Sequence, residues 1–218
     1  MNRVVSLRLV ISSFCSLCVA LCLSSAQTPT PADLFLSFGR MLKTGKSISF
    51  SAEIRDSKGA VVEQGNGTIW MRDKFFRFFY KDIDQAYDGF LLRIVDKEQQ
   101  TLTIVDAQKQ DLLWTANPLS LLDNPSKNFV FNKLEQSKGG WICSGTLKKE
   151  FQKQGGGIES FQVHFSSKNK MPLSITVHWS GAVAYYKILQ IKERKTLNVD
   201  DFRYKAYETN GLEVIDLR

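Results

Sequence analysis

Two histidines, four cysteines and a few paired aspartates are the side chains of this 218-residue chain with the types and spacing that chemistry could use. A nucleophile activated by a base, or a metal held by imidazole and thiolate, needs such groups at set intervals. His164 lies between Val163 and Phe165, and His178 between Val177 and Trp179. Each is at the polar parity of a strand-like run, so both imidazoles are expected to face solvent. Cys15 and Cys18 are spaced as in a redox or metal motif, but with Cys22 they fall in a leader that export would remove. Cys143 is then the sole cysteine; it cannot close an internal disulfide, and between Ile142 and Ser144 it reads as core. Asp82 with Asp84, and Asp200 with Asp201, read as solvated caps at turns. No Gly-x-Ser-x-Gly elbow, phosphate loop or dinucleotide fingerprint occurs, and Gly65-Asn66-Gly67 reads as a bulge or turn entering a strand. The residues point away from an enzyme, and no cofactor or metal site is expected.

The leader is explicit. Arg3 and Arg8 precede the uncharged, mostly apolar stretch from Leu9 to Leu23, and Ser24-Ser25-Ala26 places small residues at both −3 and −1 of a cut before Gln27. That is the build of a secretory signal peptide, residues 1–26. The alternative, an anchoring helix, is shorter than the roughly 20 residues a spanning helix needs. Leu17 before Cys18 and Leu21 before Cys22 make poor lipidation sites. Residues 27–218 remain as a single domain, large enough to bury well over half of its unfolded surface. With 43% hydrophobic and 23% charged residues, the composition of the full 218-residue chain is that of a globular protein. Loss of Arg3 and Arg8 lowers the formal charge from +7 to +5. The remaining charges are scattered, with no basic block interleaved with stacking aromatics, so nucleic acid is not an expected partner.

One helix leads the domain and strands follow. Thr30-Pro31-Ala32-Asp33 opens like a capped helix, and Leu34, Phe35, Phe38, Met41 and Leu42 recur at helical spacing until Gly45. Leu36 lies off that stripe, which suits a helix lying over a sheet. From Ser47 the period becomes two: Ile48, Phe50, Ala52 and Ile54 alternate with polar residues. Strand-like runs continue over Val61 to Met71, Phe75 to Tyr80, Leu91 to Val95, Thr101 to Val105, Phe129 to Leu134, Trp141 to Lys149, Phe161 to Phe165, Leu173 to Trp179, Ala184 to Ile191 and Phe202 to Tyr204. Ala107 to Trp114 reads as helix or irregular, and Asn117-Pro118 opens a short helix over Leu119 to Leu122. About ten short strands with regular turns predict a mainly β fold, an antiparallel barrel or strongly curved sheet whose few helices close one mouth or line one concave face. Phe75, Phe76, Phe78, Phe79 and Tyr80 make one strand apolar on both faces, interrupted only by Arg77. Such a strand is either buried on both sides or presents one face to a lipid-accepting cavity.

The order of these motifs resembles the periplasmic outer-membrane lipoprotein carrier family, the LolA-like proteins. Gly65-Asn66-Gly67-Thr68-Ile69-Trp70-Met71-Arg72 is similar to the family's Gly-x-Gly-x-Leu-Trp-Val-basic strand. The Phe-rich strand, the Asp88-Gly89 turn, the Asn117-Pro118-Leu119-Ser120-Leu121-Leu122 helix and the tail from Asp201-Phe202 through Val214 follow in the family's order. The resemblance covers nearly all of the mature chain. It implies a curved, unclosed antiparallel β-barrel of about 10–11 strands, with short helices forming a lid over an apolar cavity. It also implies a non-enzymatic, monomeric periplasmic chaperone. Such a protein takes a triacylated lipoprotein from an inner-membrane ABC transporter, shields its acyl chains and delivers them to an outer-membrane acceptor. Two roles on the same fold stay open beside it: a lipid- or lipoprotein-sensing domain of an envelope-stress regulator, and an outer-membrane lipoprotein receptor.

By the same resemblance Leu42, Ile69, Met71, Phe76 and Phe78 would line the acyl-chain cavity, Leu119, Leu121 and Leu122 the lid, and Arg72 would hold the lid shut through backbone carbonyls. The family's basic residue is followed by proline, whereas Asp73-Lys74 follow Arg72 here with one residue fewer, and an ordinary surface cation is the other reading of Arg72. On this placement Phe76→Glu is expected to impair cargo handling without unfolding the protein.

Overall fold

The structure, a computed structural model, describes residues 28–107, 117, 119, 125–151 and 157–218. The expected signal peptide and the lid residues Leu121 and Leu122 lie outside the described residues. Helix α1 (Pro31–Leu42) begins as its sequence dictates: Thr30 Oγ1 accepts from the Asp33 N–H at 3.2 Å, and the Asp33 carboxylate accepts from the Thr30 N–H at 2.9 Å. Gly45 in the left-handed region ends the turn, its N–H donating to the Leu42 carbonyl.

Twelve strands follow: β1 (Lys46–Asp56), β2 (Val61–Arg72), β3 (Phe75–Tyr80), β4 (Ile83–Tyr87), β5 (Leu91–Asp96), β6 (Thr101–Asp106), β7 (Phe129–Ser137), β8 (Gly140–Leu147), β9 (Ile158–Ser166), β10 (Pro172–Trp179), β11 (Ala182–Glu193) and β12 (Glu213–Asp216). They form one sheet in the order β12-β6-β5-β4-β3-β2-β1-β11-β10-β9-β8-β7. Successive hairpins account for most of that order, and β1 joins the two halves by pairing with both β2 and β11. The sheet does not close, because β12 and β7 stand at opposite ends. All the pairs are antiparallel except β12 with β6, which is parallel. The expected unclosed, mainly β fold is therefore present, with twelve strands.

Three segments differ from the expectation. Ile83–Tyr87 is a strand although Asp82 and Asp84 read as turn residues; Asp84 lies opposite Phe79, buried in a salt bridge. Phe202 to Tyr204 is no strand: Val199–Phe202 is a 3-10 turn capped by Asn198 and Asp201. The strand of the tail is instead β12.

Direct opposition in the ladders puts Ile48, Phe50 and Ala52 of β1 on one face with Ile69 and Met71 of β2 and Phe76 and Phe78 of β3. The same face continues through Ile175 and Val177 of β10 and Phe161, Val163 and Phe165 of β9 to Cys143 of β8. This is the concave face, and α1 fills it with Leu34, Phe35, Phe38 and Leu42. The Phe35 ring stacks on Phe131 at 5.5 Å between centroids and meets Phe165 edge-on at 5.2 Å. Cys143 is core as expected, and burial pushes its thiol up to about 12.

Gly140 opens β8 where the strand crosses β9: a Cβ there would run into the Phe165 carbonyl oxygen and lie 2.8 Å from its carbon. Backbone cannot swing aside as a side chain can. Gly140→Ala is therefore expected to destabilise the domain by about 2–3 kcal/mol, read as a lowered urea midpoint at unchanged slope.

Candidate functional site

Leu42, Ile69, Met71, Phe76 and Phe78 come from one helix and two adjacent strands, and the structure brings all five into one buried cluster. Leu119 joins the same cluster; its N–H donates to Asn117 Oδ1 at 2.9 Å, the capping bond expected of that asparagine. Their packing bears on the substitution proposed from the sequence. Phe76 is 1% exposed and lies against the Tyr87 ring at 5.6 Å. A glutamate there would bury a carboxylate without a partner, so Phe76→Glu acts on the fold before it acts on any ligand.

An open apolar surface lies one layer out. A cleft of about 880 Å³ runs along α1, between the helix, the β2–β3 turn and Pro125. Its described floor is Phe35, Leu36, Leu42, Phe75 and Phe131, and Phe35 and Leu42 belong also to the buried cluster. Leu36, the leucine off the helical stripe, is 58% exposed here. Its position is the sequence signal for this cleft, although periodicity alone reads it only as a mark of a helix lying over a sheet. The floor owes its width to a short connection. Asp73-Lys74 turns β2 into β3 in two residues with Asp73 at φ 52°, and the Asp73 N–H donates to the Leu42 carbonyl at 3.3 Å, tying the hairpin to the helix end.

Arg72 does something other than hold the lid in what the structure describes. It is on the opposite face of β2 from Ile69 and Met71, and its Nη1 donates to the carbonyl of Leu197. The segment it ties is the C-terminal tail, residues 194–212, which crosses the convex face before β12. Arg194 stacks its guanidinium on Trp70 at 3.8 Å, and Phe202 stacks on Phe75 at 5.8 Å. Arg77 makes a two-pronged bond to Asp84, at 3.1 and 2.8 Å, and a third to Glu208 at 2.6 Å, with its plane 4.7 Å from the Tyr204 ring. Asp88, in the Asp88-Gly89 turn that the resemblance includes, is buried: it accepts from the Phe90 and Leu91 N–H groups and pairs with Arg93 and Arg203. The strand with two apolar faces is thus covered on both, by α1 inside and by the tail outside.

The histidines stay on the polar face, half-buried, with His164 Nε2 2.9 Å from Ser137 Oγ. Among the described residues no group of three His, Cys, Asp or Glu is placed to hold a metal ion, and no helix is long and apolar enough to cross a membrane.

No family model matches the chain, and no curated protein matches it closely enough to mark a relative. Solved structures do match. An uncharacterized conserved protein from Thermus thermophilus aligns with 85% of this chain and 98% of its own, at 12% identity and a TM-score of 0.55. A LolA superfamily protein from Nitrosomonas europaea aligns over 83% of this chain and all of its own, at 9% identity and a TM-score of 0.47. A DUF1329 family protein from Desulfovibrio piger covers 79% and 95%, at 10% identity and 0.45. At such identities the likeness is one of fold. The fold itself is a curved, unclosed sheet with few helices, the architecture that the sequence resemblance implies.

Two outcomes follow from this packing. Phe76→Glu is expected to cost about 3–5 kcal/mol and to show as loss of the native circular dichroism in mild urea, not as a folded protein with a damaged site. Burial alone would raise the Glu208 carboxyl, but the Lys205 N–H and the Arg77 guanidinium outweigh it and hold Glu208 below its usual 4.5. A carboxyl lowered by folding stabilises above its unfolded pKa, and that contribution disappears as pH falls through the folded value. Glu208→Gln should therefore be less stable than the parent at pH 7, with the gap closing as unfolding is measured below pH 4.5.

Proposed function

We propose that this chain is an exported, non-enzymatic carrier of acyl chains, a periplasmic chaperone of the lipoprotein-carrier kind. Residues 1–26 would direct export and be removed before Gln27. The cargo would be a triacylated lipoprotein, received from an inner-membrane ABC transporter and passed to an outer-membrane acceptor. The observation that carries the reading is the cleft along α1, an apolar floor of aromatic and leucine side chains left open to solvent beside a closed core. Leu36 stands 58% exposed beside these phenylalanines, and an alkyl chain laid there gains roughly 0.8 kcal/mol for each methylene it buries. In this reading acyl chains enter at the cleft and part α1 from the sheet. Leu42, Ile69, Met71, Phe76 and Phe78 then line the deeper space, with Leu119, Leu121 and Leu122 on the lid side.

The test uses Leu36→Glu, because that side chain is exposed and its replacement leaves the core intact. Protein recovered from the cell envelope, or stripped and then offered a triacylated peptide, is expected to carry a one-to-one acyl adduct in native mass spectrometry. The adduct should be lost in folded Leu36→Glu, and the same spectra should show a mature chain beginning at Gln27. An empty parent that ignores the acylated peptide, or an adduct indifferent to Leu36→Glu, would overturn the reading or its placement.

A further inference from the structure

The cleft has a charged rim as well as an apolar floor. Arg40 and Lys43 project from the last turn and cap of α1, and Lys74 from the β2–β3 turn; Asp73 is the one acidic residue among the described lining. All three cations are exposed. The ion pairs described elsewhere in the chain, such as Lys46 with Glu193 and Lys81 with Glu63, leave these three out.

Cations at a helix C-terminus need no ligand to explain them, since they complement the helix dipole. That account covers Arg40 and Lys43 but not Lys74, which belongs to another element. Lys74 shares the cleft lining with them, on a hairpin that the Asp73 N–H bond to the Leu42 carbonyl ties to the helix end. Its ammonium lies 5.8 Å over Phe75 and 5.7 Å over the exposed Phe90 ring, so charge and apolar surface meet at the end of the floor. Like charges gathered at one rim repel one another unless an anion joins them.

We propose that the cleft selects acyl amphiphiles whose head carries negative charge. The chain lies on Leu36, Phe75 and Phe131, and the carboxylate or phosphate head is held by Arg40, Lys43 and Lys74. This rests on the acyl-binding part of the reading above and not on its triacylated cargo, whose acylated head is neutral, and it adds a preference for head chemistry. A neutral amphiphile of equal chain length gains the floor without the rim.

Isothermal titration of the purified protein with palmitate, palmitoyl lysophosphatidic acid and neutral monopalmitoylglycerol, each below its micelle concentration, tests this. The anionic probes are expected to bind about ten-fold more tightly at low salt, the sum of three partly exposed charge contacts. That gain should vanish in 0.5 M salt (about a 4 Å screening length) and in the R40Q/K43Q/K74Q variant, which keeps the floor and its affinity for the neutral probe. Whichever anionic probe gains more identifies the head as carboxylate or phosphate. Equal binding of charged and neutral probes, or a preference that survives the triple variant, overturns the head site while leaving acyl binding in place. Binding of no probe overturns the acyl reading itself. Leu36→Glu separates the parts further: it should weaken all three probes, and an unchanged affinity would remove the chain from this cleft.

Discussion

A strand with large apolar side chains on both faces cannot sit at the surface of a sheet, and β3 is such a strand. Phe76 and Phe78 need cover on the concave side, and Phe75 and Phe79 need it on the convex side. The arrangement of the chain answers both needs. The first helix supplies the inner cover and the last twenty-odd residues supply the outer one, so the two ends of the domain are committed to opposite faces of the same strand. Gly45 shows how close that meeting is, since a Cβ there would strike the Arg194 carbonyl where the tail leaves β11. The hairpin that carries β3 is in turn bonded to the helix end, and the cleft exists because helix and hairpin are held side by side with no described layer above them.

The outer cover is fixed by polar groups as much as by rings. Arg77 interrupts the apolar strand at the point where Tyr204 and Glu208 pass over it. Burial disfavours its charge, and the hydrogen bonds to Asp84 and Glu208 outweigh that, so its pKa is pushed up. A buried ion pair of this sort contributes little net stability beyond a well-packed apolar replacement, because desolvation offsets most of the attraction. Its geometric demand is the stronger effect. Three bonds from one guanidinium, with the Tyr204 hydroxyl bonded to the Asp84 carbonyl at 2.5 Å, admit one register of the tail over the sheet. Arg72 on Leu197 and Arg203 on Asp88 repeat that device at two further points along the tail.

Periodicity makes the helix, its cap and most strands legible, because each of those depends on residues close in sequence. The α1 capping box and the alternation from Ile48 to Ile54 need no tertiary knowledge. What stays hidden depends on partners more than a hundred residues away. Asp84 looks like a turn residue, since a lone carboxylate belongs in solvent; its partner Arg77 is seven residues off, and the cover that buries both comes from residues 204–208. The burial of Asp88 likewise depends in part on a distant residue, Arg203 of the tail. Arg72 can be put on a strand but not on a face, and the face decides that the bond it makes is to the tail. The residues that the resemblance assigns to a cavity share one buried cluster, yet neither resemblance nor parity tells a packed interior from an open one. Leu36 carries the information about the open surface, and it carries it as an exception to the helical stripe.

The position of that open surface bears on how tightly such a protein could hold an alkyl chain. Full burial of several chains would exceed the roughly −18 to −21 kcal/mol at which non-covalent affinities saturate, and a site of that quality would not let go. Here the floor is open on one side, and the interior beyond it is already filled by Phe38, Leu42, Phe76 and their neighbours. A chain that goes deeper must displace side chains from contacts they already make with one another. Its gain is then the difference between two apolar environments and not the full transfer from water. In the proposed function the packed interior would compete with the alkyl chain, and helix-to-sheet packing through Phe35, Phe131 and Phe165 would set how much of the transfer energy is returned on release. In a fold of this kind, stability of the empty form and ease of release rise together.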